Sequence, residues 1–492
     1  SEIETKGNSL THTNALQLDL GSITSTGGTL SFAGGLTLGA QGTLDVTDST
    51  LSVSETLDLN VGTFASSNTS ILRLQSATTL SSSNPVSFGS VNFEGSVLTL
   101  GSASTHLKLI DPLSLDGTTL ETGAGSLTLA GAMKLQNGAE LSSSGGTITL
   151  ESDNSDFFVE SGSLFSIPDT DLITNNYLSF FGSTLKTKNT TFTTNGFGVA
   201  IDTGSILEVE GIQNITGLHL DDSSTLRLAA DTELDNELWM SVGTLDLADF
   251  TLTLGDTMSQ LNVEQQVTLD AATEQIISGD ADLSLNGGIT VSNGTLSSTE
   301  GTLSASSFSI GAAGTVNILG GTLSLPAGGT AVSGAAFTTS GATINLADSL
   351  VVEDAWTITN TSISLTGEAS LSHSSAVSLS LASLQTNGHD FELDSVTSDL
   401  IIQNAFALSG GETLITNGAD LIFESSADIS TESTLDAGDG GKFEFKQGGT
   451  ADGTINAESA VFKIVADYTV PGTLKTNSTT TWELGTSNLD LS

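Results

Sequence analysis

TLSFAGGLTLGAQGTLDVTDSTLSVSETLDL, residues 29–59, is a succession of five short segments in which apolar residues alternate with small polar residues. The segments are TLSF, LTL, TLDV, TLSV and TLDL, and a few residues rich in Gly, Ser, Asp and Thr separate each from the next. An alternation at period two is typical of a strand with one buried face and one wet face. The segments are too short to be helices.

The segments recur with a fixed period along the chain. Leu30, Leu51 and Leu72 are 21 residues apart, and so are Leu36 and Leu57. The same spacing returns far downstream, at Leu283, Leu303, Leu323 and Ile344. A period of about 20 residues predicts stacked coils.

We therefore expect an all-β parallel β-solenoid of the right-handed β-helix type, with three short strands in each coil of about 20–21 residues. Two-sided coils are the alternative cross-section. Some 24 coils at about 4.8 Å each would make a rod on the order of 115 Å long.

The charge of the chain restricts its partners. The chain has 57 acidic and 11 basic residues, a formal net charge of -46, and no Lys or Arg between Arg227 and Lys442. This balance excludes nucleic acid as a partner, and the long stretch without cations offers nothing to a phosphate, a uronate or an anionic lipid headgroup. Cysteine is absent, which excludes disulfides, thiol catalysis and Cys-ligated zinc.

The composition also favours one compartment. Abundant Ser, Thr and Gly, scarce Lys and strong acidity suit a secreted or cell-surface bacterial protein, so we expect an extracellular location. No run approaches the ~20 apolar residues that a transmembrane segment requires. The first residues lack an apolar signal core, as in a mature chain whose signal has been removed.

The regularity of the repeat changes along the chain and divides it into five segments. We expect a polar arm or an atypical first coil at 1–15, regular coils at 16–152, irregular coils with longer loops at 153–240, regular coils at 241–350, and less regular coils at 351–492.

The irregular segment is rich in aromatic residues. They are Phe157, Phe158, Phe165, Tyr177, Phe180, Phe181, Phe192 and Phe197. They indicate either a wider coil packed with Phe or a ligand-binding site, for which Phe180 and Phe181 are the candidate contacts.

Four carboxylates at period two form the most ordered acidic cluster, at Asp231, Glu233, Asp235 and Glu237. On one strand they would share a face, and a hard cation such as Ca²⁺ would relieve their repulsion. A solvated acidic face is the alternative, and no cofactor is required.

No motif assigns catalytic residues. The five histidines are scattered and are expected at the surface, and no nucleophile elbow is present. Enzymes that act on acidic polysaccharides need cations that this chain lacks, whereas hydrolysis of a neutral glycan needs only two carboxylates. Paired Thr residues in T-x-T do not recur at every coil, which argues against an ice-binding array.

The strand pattern continues to the last residues, SNLDLS, through Leu489 and Leu491. An exposed edge of a parallel stack is a template for another chain. Either the chain is a segment of a longer array, or this end is an assembly surface for a neighbouring copy. The second alternative predicts head-to-tail homo-oligomers, which grow as open filaments.

The T-L-x-L repeat with Gly, Ser and Asn turns resembles the parallel β-helix proteins of bacterial surfaces, the filamentous-haemagglutinin-like adhesins and the passenger regions of autotransporters. The resemblance implies an extended extracellular structure used for adhesion or for building a surface filament, fibre or sheath. The alternative function is a glycan-binding or glycan-cleaving β-helix with its site at 157–197. Extracellular glycans and divalent cations are thus the expected partners besides further copies of the chain.

Overall fold

The computed structural model of the chain describes residues 2–151, 157–195, 198–214, 218–235, 239–255, 258–353, 356–374, 378–394, 399–438, 440–485 and 487–491. For residues 212–214 and 239, only the backbone is described. The chain divides into two compact units, Ser1–Asp246 and Leu247–Ser492.

In its described part, the regular secondary structure of the first unit consists of strands alone. They are β1 (Glu2–Lys6), β2 (Leu10–His12), β3 (Leu16–Thr26), β4 (Thr29–Phe32), β5 (Leu36–Asp45), β6 (Thr50–Asp58), β7 (Thr63–Ala65), β8 (Ile71–Ser81), β9 (Val86–Phe88), β10 (Ser90–Asn92), β11 (Val97–Leu100), β12 (His106–Leu109), β13 (Leu113–Asp116), β14 (Thr119–Gly123), β15 (Ser126–Leu129), β16 (Met133–Gln136), β17 (Glu140–Ser143), β18 (Thr147–Leu150), β19 (Phe157–Val159), β20 (Leu164–Pro168), β21 (Asp171–Thr174), β22 (Leu178–Phe181), β23 (Thr184–Lys188), β24 (Thr191–Thr194), β25 (Val199–Asp202), β26 (Ile206–Asn214), β27 (Leu218–Leu220), β28 (Thr225–Asp235), β29 (Trp239–Val242) and β30 (Thr244–Asp246).

The strands of the first unit pair in parallel with their equivalents in the neighbouring coils. From β11 to β25 each coil contributes three strands, so that β11, β14, β17 and β20 form one ladder, β12, β15, β18 and β21 a second, and β13, β16, β19 and β22 a third. After β25, the long strands β26 and β28 again replace two short ones. In the earlier coils, single strands of 9 to 11 residues replace two short ones. A register shift within each long pairing, as between Leu18 and Leu20 of β3, lets the strand continue.

The second unit likewise contains only strands where it is described. They are β31 (Thr251–Leu254), β32 (Gln260–Val263), β33 (Val267–Leu269), β34 (Gln275–Ile277), β35 (Asp282–Leu285), β36 (Ile289–Val291), β37 (Thr295–Ser298), β38 (Thr302–Ala305), β39 (Phe308–Ile310), β40 (Thr315–Ile318), β41 (Thr322–Leu325), β42 (Gly329–Ala331), β43 (Ala336–Ser340), β44 (Thr343–Leu346), β45 (Leu350–Val352), β46 (Trp356–Thr359), β47 (Ser362–Leu365), β48 (Ala369–His373), β49 (Leu379–Leu381), β50 (Ser383–Gln385), β51 (Phe391–Leu393), β52 (Leu400–Ile402), β53 (Phe406–Leu408), β54 (Thr413–Ile415), β55 (Leu421–Phe423), β56 (Ala427–Ile429), β57 (Thr434–Asp436), β58 (Lys442–Phe445), β59 (Gly449–Thr450), β60 (Thr454–Asn456), β61 (Val461–Ile464), β62 (Tyr468–Thr469), β63 (Thr473–Lys475), β64 (Thr481–Leu484) and β65 (Leu489–Asp490).

The second unit repeats the same parallel pairing between successive coils. Its longest ladder within the unit runs β33–β36–β39–β42–β45–β48–β51–β54–β57–β60–β63, and β32–β35–β38–β41–β44–β47–β50 forms another. A membrane-spanning helix is not found in the described part of the chain. The predicted fold class, an all-β parallel β-solenoid, is confirmed.

The pairing register confirms the predicted period. Leu30 lies opposite Leu51, Leu51 opposite Leu72, and Leu36 opposite Leu57. Downstream, Leu283, Leu303, Leu323 and Ile344 are likewise successive partners in register. Coil length varies where the sequence pattern loosens. Met133, for example, pairs with Phe157, which is 24 residues later.

The core consists of inward-facing side chains stacked in columns. Leu30, Leu51 and Leu72 have no exposed surface, and Ser31 and Ser52, which follow Leu30 and Leu51, are buried as well. In the second unit an aromatic column joins successive coils, with ring centroids 5.2 Å apart for Phe406 and Phe423 and 5.1 Å apart for Phe423 and Phe445. Stacking at these distances adds to the free energy of apolar burial.

Buried hydroxyls satisfy backbone groups at the corners between strands. Ser70 Oγ donates to the carbonyl of Val46 at 2.8 Å, and Ser183 Oγ donates to that of Val159 at 2.9 Å. Both acceptors lie in the preceding coil, so the bonds join coils as well as fix turns. Gly321 shows why some turns demand glycine: its φ is +61°, and a Cβ there would lie 2.1 Å from the carbonyl oxygen of Glu300.

Candidate ligand-binding face

The irregular segment 153–240, which contains the aromatic residues, contributes four strands to a six-stranded sheet of the first unit. Strands β13, β16, β19, β22, β25 and β27 pair in this order, and successive side chains on each strand alternate between the core and the solvent. We call the outward surface of this sheet the aromatic face. Its central strands, β19, β22 and β25, have a neighbour on both sides.

Phe180 does not contact solvent and is a core residue. Its side chain has no exposed surface, and its ring stacks on Phe165 with a centroid distance of 6.1 Å and an interplanar angle of 19°. Neighbouring residues on a strand face opposite sides, so only one ring of the Phe180–Phe181 pair can be outward. The prediction that Phe180 contacts a ligand is therefore wrong for this structure, and the ring fills the coil instead.

Phe181 is the outward member of the pair. Its side chain is 42% exposed, and its ring lies 6.1 Å from that of Phe158 at a tilt of 45°. Phe158 pairs with Lys134 in the preceding coil, and the Lys134 ammonium bonds to a Glu160 carboxylate oxygen at 2.9 Å. The role of Phe181 in ligand contact stays a prediction, with two solvent-facing rings in contact to support it.

Carboxylates and an imidazole follow the rings along the ladder. Asp202 pairs in register with Phe181 of the preceding coil. The residue before it, Ile201, pairs with Leu220 of the following coil. Asp221, the residue after Leu220, therefore lies next to Asp202 in that following coil. His219 pairs with Ala200 on the same face. Asp202, Asp221 and His219 therefore lie near the Phe181 ring on the aromatic face. The sequence analysis singled out none of the three.

Asp202 is held in an unfavourable environment for a charge. Burial and the Asp221 carboxylate raise the pKa of Asp202, and His219 opposes them by a smaller amount. Asp221 Oδ1 accepts hydrogen bonds from Ser223, at 2.9 Å from its backbone N–H and 2.8 Å from its hydroxyl. In the described part of the chain the Asp202 carboxylate has no hydrogen bond or ion pair.

The acidic cluster lies on β28 in the predicted arrangement, as far as it is described. Asp231, Glu233 and Asp235 occupy the outward positions of the strand, and Thr232 and Leu234 are buried between them. Glu237 lies outside the described residues. Among the residues that the structure describes, no three His, Asp or Glu side chains are grouped to hold a metal ion. Calcium binding at this cluster stays a prediction.

The predicted assembly residues lie on the last described strand and directly after it. Leu489 belongs to β65 and pairs with Tyr468, and Leu491, just beyond the strand, is 62% exposed. This arrangement does not test their role in assembly.

Phe197 of the predicted aromatic segment lies outside the described residues.

One histidine differs from expectation. His373 is 1% exposed, because it continues the inward column of β48 two residues after Leu371 and pairs with Val352. The prediction that all five histidines are at the surface is wrong for this one. The period-two alternation in ASLSH was the signal that could have found it.

An acidic groove lies in the second unit. It has a volume of about 340 Å³, and its carboxylates are those of Asp348, Glu368, Asp390 and Glu392. Two of them are engaged locally: Asp390 accepts a hydrogen bond from the Thr413 N–H at 2.6 Å, and Glu392 accepts one from Asn417 Nδ2 at 2.6 Å. These bonds fix turns between coils, which is a structural role.

Most basic residues are also engaged between coils. Arg73 bonds to Glu94, Lys186 to Glu208, and Arg227 to Asp246, each pair spanning one coil. Lys108 reaches Glu151 two coils away, at 2.7 Å. These cations therefore join coils and neutralise carboxylates of the same chain.

Comparison of the chain with family models, with curated proteins and with solved structures found no match in any of the three. The assignment of the fold therefore rests on the parallel coil-to-coil pairing itself. The resemblance to bacterial adhesins has no further support from a relative.

Proposed function

We propose that the protein is an extracellular structural or adhesive β-solenoid that assembles end to end into a surface filament, fibre or sheath. The observation that carries the proposal is that both units are built from coils stacked in parallel register, with small polar and acidic side chains outward. A coil stack of this kind is extended by adding further coils, and contact between copies through the same ladder is heterologous and open-ended.

The charge of the protein supports this role. Apart from the ion pairs between coils, the surface is acidic, and residues 228–441 contain no Lys or Arg. Like charges on neighbouring filaments would keep them apart at low ionic strength, and divalent cations would bridge them. A dispersed acidic filament outside the cell is consistent with such a surface, as are the absence of cysteine and the resemblance to surface adhesins.

Two measurements test the proposal. Sedimentation of the purified full chain over a wide concentration range should reveal species that lengthen as concentration rises, and a single species of constant size at every concentration would contradict assembly. Antibodies against the folded chain should label intact producing cells. Labelling that appears only after lysis would contradict the extracellular location.

Glycan binding at the aromatic face is the second candidate function. The observation that favours it is the contact between the exposed Phe181 ring and the Phe158 ring on the outward surface of the sheet. Outward aromatic rings stack on the C–H faces of sugars, and neighbouring carboxylates accept their hydroxyl hydrogens. The two functions are compatible, since an adhesive filament needs a ligand.

A further inference from the structure

The aromatic face is electrically asymmetric. At one end, Lys134 is already neutralised by Glu160 at 2.9 Å. At the other end, Asp202 and Asp221 occupy neighbouring positions in successive coils beside the Phe181 ring. The site next to the exposed ring is therefore anionic, and it would repel a uronate, a sulfate or a phosphate.

Asp202 marks the position where a positive ligand would gain most. The carboxylate is partly buried, it lies close to a second carboxylate, and within the described chain no cation or donor satisfies it. An ammonium group placed there would make charge-assisted hydrogen bonds and relieve the repulsion between the two aspartates. His219 is the only other titratable group identified near Asp202 in the described residues, and it offsets the repulsion only in part.

The rings add a second source of affinity for the same group. Phe181 is the register partner of Asp202, and its ring is 42% exposed. A cation over the face of an aromatic ring is attracted by the ring quadrupole, most strongly where water is partly excluded. Phe158, 6.1 Å from Phe181, extends the apolar platform on which a flat ring could rest.

The topology favours a saccharide over a peptide as the carrier of the ammonium group. Strands β19, β22 and β25 each have neighbours on both sides, so their backbone groups are used in the sheet. An extended peptide that adds to a sheet needs a free edge for its main-chain hydrogen bonds. A saccharide does not, because its hydroxyls bond to side chains and its C–H faces stack on rings.

We propose that Phe158, Phe181, Asp202, Asp221 and His219 form a binding site for glycans with free amino groups, in which an amino-sugar ring rests on the phenylalanines and its ammonium group bonds to the aspartates. This inference rests on the glycan-binding function proposed above and names its ligand class. It distinguishes amino sugars from their N-acetylated and acidic counterparts.

Calorimetric titration of the full chain tests the site with four probes at about pH 6.5, where amines of this kind are protonated. The probes are a glucosamine oligosaccharide with free amines, the N-acetylated oligosaccharide of the same length, an oligogalacturonate and tetralysine. Only the first should bind measurably. Phe181→Ala and Asp202→Asn should each weaken that binding roughly tenfold.

Matched controls separate a local effect from a general one. Asp171→Asn removes an exposed carboxylate from β21 in the second ladder of the same unit, and Trp482→Ala removes a ring of similar exposure in the second unit. Both should leave binding unchanged. Circular dichroism should be unchanged for Phe181→Ala, Asp202→Asn and Asp171→Asn, because these side chains face outward. It should also be recorded for Trp482→Ala, whose ring contacts the buried Phe462 ring.

Each other outcome would overturn the inference in a recognisable way. Equal binding of the N-acetylated oligosaccharide would leave glycan binding standing but exclude recognition of the ammonium group. Equal binding of tetralysine, or binding that the two site variants leave intact, would indicate general attraction to an acidic surface. Failure of all probes to bind would remove the site and the glycan-binding function together, without bearing on filament assembly.

Discussion

Lys463 Nζ lies 3.0 Å from Glu444 Oε1, across one coil of the second unit. Lys442 approaches the same carboxylate at 3.3 Å, and the Glu444 side chain is only 9% exposed. Glu444 is thus a nearly buried carboxylate held between two lysines. Burial raises its pKa, but the hydrogen bonds and charges of Lys463 and Lys442 outweigh burial and lower the pKa below its ordinary value.

Glu444→Gln should destabilise the second unit at neutral pH by about 1–3 kcal/mol, because two lysines lose a charged acceptor. A lowered folded-state pKa contributes stability that is present above the unfolded value, about 4.3, and is lost as pH falls through the folded value. The difference between variant and parent should therefore shrink below about pH 4. Denaturant unfolding followed by hydrogen exchange at residues 442–464 measures it.

The control is Glu94→Gln, which breaks the Arg73–Glu94 pair of the same one-coil spacing. That pair is exposed, with 47% and 38% of the two side chains accessible, so the loss should stay below about 1 kcal/mol. An equal effect of the two variants would show that burial of Glu444 has no energetic consequence.

Phe445 should be among the most sensitive core positions. Its ring has no exposed surface and lies 5.1 Å from Phe423 and 4.4 Å from Tyr468. Phe445→Ala should cost about 3–5 kcal/mol of unfolding free energy through lost burial and a cavity. Tyr468→Phe, which removes only the buried bond from the Tyr468 hydroxyl to the carbonyl of Ala427 at 2.9 Å, should cost about 1 kcal/mol. A larger loss of unfolding free energy for Tyr468→Phe than for Phe445→Ala would contradict the packing described for the aromatic column.

Glu412 should be required for a turn rather than for solubility. It is 3% exposed, and its carboxylate accepts hydrogen bonds from the Ser409 N–H at 2.8 Å and the Thr386 hydroxyl at 2.7 Å. Glu412→Ala leaves these donors unsatisfied and should cost about 2–4 kcal/mol in thermal or chemical unfolding. Glu300→Ala, at an exposed turn, should stay within about 0.5 kcal/mol. Similar small losses for both would show that Glu412 is solvated.

Asp202 should give the opposite pH dependence to Glu444. Its folded-state pKa is raised, so between the unfolded value of about 3.9 and that raised value the folded chain binds more protons than the unfolded chain. Stability contributed by this residue therefore falls as pH rises through that interval. Asp202→Asn should be more stable than the parent at neutral pH and equal to it near pH 3, about a unit below the unfolded value, in thermal unfolding. A variant less stable than the parent at neutral pH would contradict the environment described for Asp202.

The period of the sequence predicts the fold because a one-residue slip would expose every inward side chain. Leu30 and Leu51, or Leu303 and Leu323, could be paired from their spacing alone. The same alternation, applied residue by residue, would have placed Phe180 and His373 inward. Sequence reasoning missed both because it weighed residue type before strand position.

The candidate site could be predicted only in part. Phe181 was found as an aromatic residue in an irregular segment, but Asp202, His219 and Asp221 lie in later coils, and their approach to it depends on the local register. Coil length in this region ranges from 24 residues between Met133 and Phe157 to 19 between Ile201 and Leu220. A fixed period of 21 therefore could not align these residues.

Electron microscopy of the purified full chain at near-physiological salt with Ca²⁺ tests the central claim most directly. An end-to-end solenoid predicts long filaments with an axial repeat of about 4.8 Å, the spacing of parallel strands in successive coils. Chelation of Ca²⁺ should loosen bundles while leaving single filaments folded. Discrete particles of one size at every concentration would contradict the proposed filament.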